Sequence, residues 1–116
     1  QAVAVAEMLE QAGYQTYYAF DAPSALRIAD QVEPDIAVID LGLPVMDGFE
    51  LARRFREHPT LRRTQLVAVT GYGEEQDRVR CLAAGFCAQL LKPIDPDELK
   101  SVLGWIHPRE QTELAG

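Results

Sequence analysis

The sequence predicts a doubly wound α/β domain, in which a parallel sheet is covered by helices on both faces. Helical and strand-like segments alternate along most of its 116 residues, the pattern from which such domains are built. Residues 35–40 form a short apolar run with acidic ends, which is typical of a parallel strand buried on both faces. A chain of this length supports one domain with one core.

In the first half of the chain we expect a helix, a strand, a helix and a strand, in that order. Residues 1–12 carry apolar side chains at helical spacing, and 14–20 are expected to form an aromatic-rich strand. Asp21 can cap the second helix, which ends before Pro34. The apolar run 35–40 is then the second strand.

The second half is expected to alternate in the same way. Its elements are a helix with Leu51, Ala52 and Phe55 on one side, a strand over 65–70, a helix over 74–84, a strand over 88–91 and a helix from Asp95 to Ile106. A polar tail or linker, 107–116, follows. The count is about four strands and five helices. The chain opens on a helix, although parallel crossovers build such a sheet from a strand onward.

Charge and composition exclude several classes of function. The formal net charge is −7, so the basic face of a nucleic-acid binder is missing and direct contact with DNA or RNA is not expected. No apolar run approaches the roughly 20 residues that cross a bilayer. No signal-peptide pattern opens the chain, so we expect a cytoplasmic domain without membrane contact. The arginines between residues 53 and 63 are expected on a solvated helix face, and Cys81 and Cys87 as buried or half-buried thiols.

Three polar residues stand where the predicted central strands end. Asp40 ends the second strand, Thr70 the third and Lys92 follows the fourth. In an open parallel sheet the carboxyl ends of the strands share one rim, and ligands bind there. A carboxylate, a hydroxyl and an ammonium are therefore expected to converge, a set that suits phosphoryl transfer to a carboxylate.

Short motifs surround these residues. Residues 40–48 have the sequence Asp-Leu-Gly-Leu-Pro-Val-Met-Asp-Gly, Thr70 is followed by Gly71, and Lys92 is followed by Pro93. The first is similar to a phosphoacceptor loop, the second to a switch threonine and the third to a lysine before a cis-proline. Together they resemble the response-regulator receiver domains of the CheY-like superfamily, with some likeness to receivers of hybrid sensor histidine kinases.

The resemblance implies a receiver domain over 1–106 with the flavodoxin-like strand order 2-1-3-4-5, of which the first strand is expected upstream of Gln1. It implies that Asp40 accepts a phosphoryl group from a histidine kinase or phosphotransfer protein, with Thr70 and Lys92 completing the site. Such a domain is a signalling module rather than an enzyme. The face formed by 86–106 would contact an output partner or domain, and a homodimer is a possible assembly.

The resemblance also implies Mg²⁺ as a cofactor. Asp40 and the backbone carbonyl of Gly42 would be ligands, with the remaining acidic ligands expected upstream of Gln1. Asp47 is expected to be a turn residue beside Gly48 rather than a ligand. A haloacid dehalogenase-type phosphatase would need a second aspartate two residues after the first, where this chain has Gly42.

The sequence departs from the family pattern in two places. The strand that should precede the first helix, with its acidic pair, is absent, so we expect a gap in the core that roughly ten upstream residues would fill. Gln89 replaces the aromatic or histidine usual three residues before the lysine. These departures keep open the alternative of a pseudo-receiver, a protein-interaction module that acts without phosphorylation.

Overall fold

The computed structural model describes residues 2–42, 46–71 and 75–106, of which residues 2–4 and 75–77 are described by their backbone only. These residues form five helices and three strands. In chain order they are α1 (Ala2–Gln11), α2 (Ala22–Val32), β1 (Ile36–Asp40), α3 (Gly48–Glu57), β2 (Gln65–Thr70), α4 (Glu75–Ala84), β3 (Phe86–Leu91) and α5 (Pro96–Ile106). The predicted tail lies outside the described residues, as does Pro44.

The three strands form a parallel sheet in the order β1-β2-β3. They correspond to strands 3, 4 and 5 of the predicted order 2-1-3-4-5. Asp40 is in register with Val69, and Thr70 with Leu91, so the strands end at nearly the same level. The prediction of a parallel α/β sheet is confirmed.

Two apolar clusters cover the two faces of this sheet. On one face, buried side chains of α2, α3 and α4 pack against Leu66, Ala68 and Phe86. On the other, α5 and α1 pack against Val67, Val69 and Leu90. Alternate residues of β2 therefore serve opposite faces, and five of its six residues are buried. This two-sided burial explains why the strand is apolar throughout, and it confirms the doubly wound architecture.

The predicted strand over 14–20 is wrong for this structure. Residues 14–19 have neither helical nor strand structure, and Tyr17, Tyr18 and Phe20 are more than half exposed. In the order 2-1-3-4-5, the only neighbour of this segment is the strand that precedes α1. No such strand is present among residues 2–42, 46–71 and 75–106, so the segment does not join a parallel ladder there.

A large cavity occupies the place beside β1 where the gap was expected. Its volume is about 970 Å³, and it is lined by α1, the segment 14–20, α2, β1 and α5. Val38, Val69 and Leu103 are among the side chains that face it. The predicted gap in the core is therefore present in the structure.

The arginine cluster is divided between two environments. Arg53 and Arg54 form ion pairs with Glu50 on the exposed side of α3, as expected of a solvated face. Arg56 differs, because its guanidinium donates hydrogen bonds to backbone carbonyls and the residue is only half-exposed. The prediction that these arginines lie on a solvated helix face is thus wrong for Arg56. The prediction for the two cysteine thiols is confirmed, since Cys81 is buried and Cys87 is half-buried.

Smaller differences concern the bounds of the elements. β3 begins at Phe86, two residues before the predicted start, because Phe86 already pairs with Leu66 of β2. Its ring centroid lies 6.3 Å from that of Phe49 on α3. α2 and α5 have the predicted caps: Asp21 accepts a hydrogen bond from the Ser24 N–H, and Asp95 from the Asp97 N–H. Within the described parts of the chain, no helix is long and apolar enough to cross a membrane.

Candidate functional site

Backbone hydrogen bonds bring the three strand ends together. The N–H of Leu41, just after β1, donates to the Val69 carbonyl at 2.9 Å. The N–H of Lys92, just after β3, donates to the Thr70 carbonyl at 2.8 Å. The parallel ladder thus continues one residue past Asp40 and Leu91, which aligns the first residues of the loops. We call the group formed by Asp40, Thr70 and Lys92 the carboxyl rim.

Both carboxylate oxygens of Asp40 have a partner. The Lys92 ammonium lies 2.7 Å from Oδ2, and the Gly42 N–H donates to Oδ1 at 2.9 Å. The two charged side chains remain accessible, with 31% of Asp40 and 29% of Lys92 exposed. The predicted meeting of these two residues at one rim is therefore present in the structure. An incoming group can reach the pair from solvent.

Thr70 completes the carboxyl rim from the central strand. It is one of two buried polar residues among those described, with 7% of its surface exposed. Its carbonyl holds the Lys92 backbone, so a shift of Thr70 would also affect the residue that pairs with Asp40. All three residues selected from the sequence thus lie at the same end of the sheet.

The loop after Asp40 returns to the strand through a close backbone contact. The Gly48 N–H donates to the Leu41 carbonyl at 3.0 Å. A Cβ atom at residue 48 would lie 2.7 Å from the Leu41 Cα and 2.9 Å from the Asp40 carbonyl oxygen, which explains the glycine. Asp47 caps α3 by accepting from the Glu50 N–H at 2.9 Å, so the structure makes it a helix cap, where the sequence predicted a turn residue.

The described residues do not by themselves form a metal site. Among them, no group of three or more histidine, cysteine, aspartate or glutamate side chains could hold a metal ion. Asp40 and Gly42 are among the residues that line the large cavity, and Asp21 also lines it. Hydrogen bonds from Ser24, chiefly from its backbone N–H, hold the pKa of Asp21 below its usual value. The sequence identified Asp21 only as a helix cap.

Two further residues near the carboxyl rim were singled out in the sequence. The Lys92–Pro93 peptide bond is cis, as the resemblance implied. Gln89 lies on β3 in register with Ala68, and its Oε1 is buried without a hydrogen-bond partner in the described structure. It also lines a groove of about 400 Å³ between α4 and α5.

Comparison with known proteins decides the family. The family model of the response regulator receiver domain matches residues 1–104. The chain belongs to this family. Receiver domains are signalling domains of two-component systems, and they interact with histidine kinases or phosphotransfer proteins and with output domains.

Individual relatives agree with this assignment. This receiver domain is 41% identical to an uncharacterized 14.6 kDa protein of Leptolyngbya boryana, over 79% of the chain and 70% of that protein. It is 38% identical to the response regulator PleD of Caulobacter vibrioides, over 71% of the chain but 18% of PleD. It therefore spans only a small part of that relative.

A solved structure agrees at the level of the fold. The receiver domain of sensor histidine kinase PA1611 from Pseudomonas aeruginosa matches with a TM-score of 0.80 and 32% identity. The match covers 90% of this chain and 85% of that one. That structure has a magnesium ion coordinated in its active site cleft.

Proposed function

We propose that this receiver domain takes a phosphoryl group from a histidine kinase or phosphotransfer protein onto Asp40. The observation that carries the proposal is the 2.7 Å contact between the Lys92 ammonium and the Asp40 carboxylate at the carboxyl rim. A carboxylate that is about one-third exposed and lies beside a positive charge can act as a nucleophile toward an anionic phosphoryl group. The amine then lies next to the charge that the transferred group brings.

The transfer forms one bond and breaks one. An oxygen of Asp40 attacks phosphorus, the bond between phosphorus and the donor imidazole nitrogen breaks, and an acyl phosphate results. The Lys92 ammonium is placed to move from the carboxylate to the phosphoryl oxygens. The Thr70 hydroxyl is the second donor that this rim can offer to those oxygens.

A divalent cation belongs to the same proposal. Mg²⁺, when bound, would neutralise part of the phosphoryl charge. Asp40 and the Gly42 carbonyl would be ligands among the described residues, and Mg²⁺ prefers oxygen ligands of this kind. The remaining acidic ligands are expected on a strand upstream of Gln1. The cavity of about 970 Å³, which reaches Asp40 and Gly42, supports a strand in that place.

Phosphorylation is expected to shift a conformational equilibrium. To convert an almost fully inactive population into an almost fully active one, the phosphoryl group must stabilise the active state over the inactive state by about 5.5 kcal/mol. Charge-assisted hydrogen bonds from Lys92 and Thr70 to the phosphoryl group can contribute to it. The shift would be transmitted to the face formed by 86–106, where Leu91 is 47% and Trp105 68% exposed. An output partner or domain of a cytoplasmic signalling protein would bind there.

The proposal is tested by phosphorylation of the full-length protein that contains this chain. After incubation with Mg²⁺ and acetyl phosphate, intact-mass spectrometry should show a gain of one phosphoryl group in the wild type and none in Asp40→Asn. Asp47→Asn is the matched control, because it makes the same change in the same loop and asparagine also caps helices well. This control should gain the group normally. A wild type that gains none, or an Asp40→Asn variant that still gains it, contradicts the proposal.

One observation favours the pseudo-receiver as a second candidate. Gln89 has no aromatic ring to move inward. Under this alternative the full-length protein would not be phosphorylated in the same experiment. It would bind its partner with equal affinity in the wild type and in Asp40→Asn.

A further inference from the structure

Gln89 carries a polar side chain into an apolar part of the fold. It is in register with Ala68, which packs in the cluster beneath α2, α3 and α4, so the Gln89 side chain points to the same face of the sheet. Its Oε1 is buried and accepts no hydrogen bond within the described structure, although the residue as a whole is only half-buried. A buried acceptor without a donor costs free energy. A ligand that brings a donor to this oxygen would remove that cost.

A groove of about 400 Å³ lies beside this side chain, between α4 and α5. We call it the β3 groove, because most residues of β3 line it and β3 is the last strand of the sheet among residues 2–42, 46–71 and 75–106. Leu82, Phe86 and Leu91 contribute apolar side chains to its walls. Such walls can hold the aliphatic stem of a long side chain whose charged end finds a partner nearby.

Two charged residues line the β3 groove from opposite sides, Arg78 on α4 and Glu98 on α5. The Glu98 carboxylate and the Gln89 Oε1 are both acceptors, so one cationic group with several N–H donors can serve both. A carboxylate could pair with Arg78, but it would bring no donor to Gln89. The chain has a net charge of −7, which attracts a basic partner over longer distances.

We propose that the β3 groove receives an arginine or lysine side chain of the output partner, with its charge beside Glu98 and an N–H donating to Gln89 Oε1. The terminal torsion of a glutamine is soft, so this oxygen can turn toward the groove when a donor enters. Gln89 then makes the face formed by 86–106 selective for a basic partner. The inference rests on the proposed function, since that function puts the partner at this face, but it does not require phosphorylation.

The test compares peptides that differ in one residue. Five-residue alanine peptides with a central arginine, citrulline, norleucine or glutamate are titrated into the full-length protein that contains this chain, and binding is followed by saturation-transfer NMR. The arginine peptide should bind about tenfold more tightly than the norleucine peptide, because it gives a buried acceptor a charged donor. Citrulline keeps the N–H donors without the charge, so the affinity of its peptide should lie between these two. The glutamate peptide should bind no better than the norleucine peptide.

Substitution of Gln89 tests the acceptor. Gln89→Met removes the oxygen at nearly the same side-chain length, and it should weaken binding of the arginine peptide about tenfold. The variant should unfold at the same urea concentration as the wild type or a higher one, because it has no unpaired oxygen to bury. Gln65→Met on β2 is the matched control, since it makes the same change outside the β3 groove. It should bind the arginine peptide like the wild type.

Glu98 and Asp97 provide a second matched pair. Both are exposed in the first turn of α5, but of the two only Glu98 lines the β3 groove. Glu98→Gln should weaken binding of the arginine peptide about threefold, as expected for an exposed ion pair. Asp97→Asn should have a smaller effect. Equal losses in the two variants would mean that the peptide is attracted by the acidic surface in general, and they would overturn the inference.

The outcomes separate the inference from the proposed function. The inference is wrong if the arginine and norleucine peptides bind alike, if the glutamate peptide binds most tightly, or if Gln89→Met keeps the wild-type affinity for arginine. In these cases a gain of one phosphoryl group on Asp40, measured by intact mass, would leave the proposed function standing. If the arginine peptide binds as expected but no phosphoryl group is gained, the phosphoacceptor role fails and the inference stands.

Discussion

The two ends of the sheet are held together in different ways. At the amino end, Arg56 donates to the carbonyls of Arg62, Thr64 and Gly85 at 2.6, 3.2 and 2.8 Å. The Thr64 hydroxyl donates to the Pro34 carbonyl at 2.8 Å. These side chains bind backbone atoms of loops that are distant in sequence. The loops before β2 and β3 are thereby fixed to α3.

The carboxyl rim combines backbone hydrogen bonds with an exchangeable contact between side chains. Its main side-chain interaction is the pair between Asp40 and Lys92, both about one-third exposed. A phosphoryl group can take over such a contact without any loss of backbone hydrogen bonds. The comparison shows that the contacts that stabilise the fold and the residues expected to react lie at opposite ends of the sheet. Substitutions at the amino end should change stability alone, and those at the carboxyl rim should change chiefly the reaction.

The largest expected effect on stability comes from Arg56→Ala. Three carbonyls lose a charged donor, and a loss of about 3 kcal/mol in the free energy of unfolding is expected. Urea denaturation of the full-length protein would measure it. Arg54→Ala, on the exposed side of the same helix, should cost only about 0.5 kcal/mol. Faster or slower phosphorylation of Asp40 in Arg56→Ala would break the separation of the two ends.

A smaller effect is expected for Gly48→Ala. The added Cβ would overlap Leu41 and the Asp40 carbonyl, so the free energy of unfolding should fall by about 2 kcal/mol. The gain in helix propensity, about 1 kcal/mol, acts in the opposite direction. Gly104→Ala should gain the same helix propensity without any overlap, so it should stabilise the protein. Because the overlap displaces Asp40, Gly48→Ala should also be phosphorylated more slowly, and a normal rate would show that the loop absorbs the change.

Lys92→Met should affect stability still less. The ion pair is partly exposed, so its removal should change the free energy of unfolding by less than about 1 kcal/mol. Phosphorylation of Asp40 by acetyl phosphate should nevertheless slow, because the positive charge beside the carboxylate is gone. If the variant were strongly destabilised but phosphorylated at the normal rate, Lys92 would serve stability rather than the reaction.

The smallest expected effect is the pH dependence contributed by Glu50. Hydrogen bonds from Arg53, and then from Arg54, lower the pKa of Glu50 from 4.5 to about 2. The folded state therefore favours the charged form. The stabilisation is present above pH 4.5 and is lost as the pH falls toward about 2. It should be small because these side chains are exposed.

Acid denaturation of Glu50→Gln checks this expectation. The variant should lose stability less steeply than the wild type between pH 4.5 and about 2. Added salt should reduce the difference, since exposed charges are screened. Identical slopes at low ionic strength would show that the ion pairs on α3 contribute nothing to stability.

Local signals in the sequence were sufficient for most of the elements and for the choice of site residues. The caps at Asp21 and Asp95 depend on neighbours within three residues, so they could be predicted from the sequence. The apolar runs that end at Asp40 and Thr70 identified two strands, and the parallel arrangement then placed the ends of both at one rim. The three motifs gave the family resemblance from residues within 40–93 alone.

Contacts between distant segments were decided only by the tertiary structure. The segment 14–20 has a strand-like sequence, yet a strand forms only where a neighbour accepts and donates its hydrogen bonds. Arg56 resembles its exposed neighbours in sequence, and its role depends on carbonyls up to 29 residues away. The 2.7 Å contact between Lys92 and Asp40 likewise depends on how the strands and their loops pack, which no local pattern specifies.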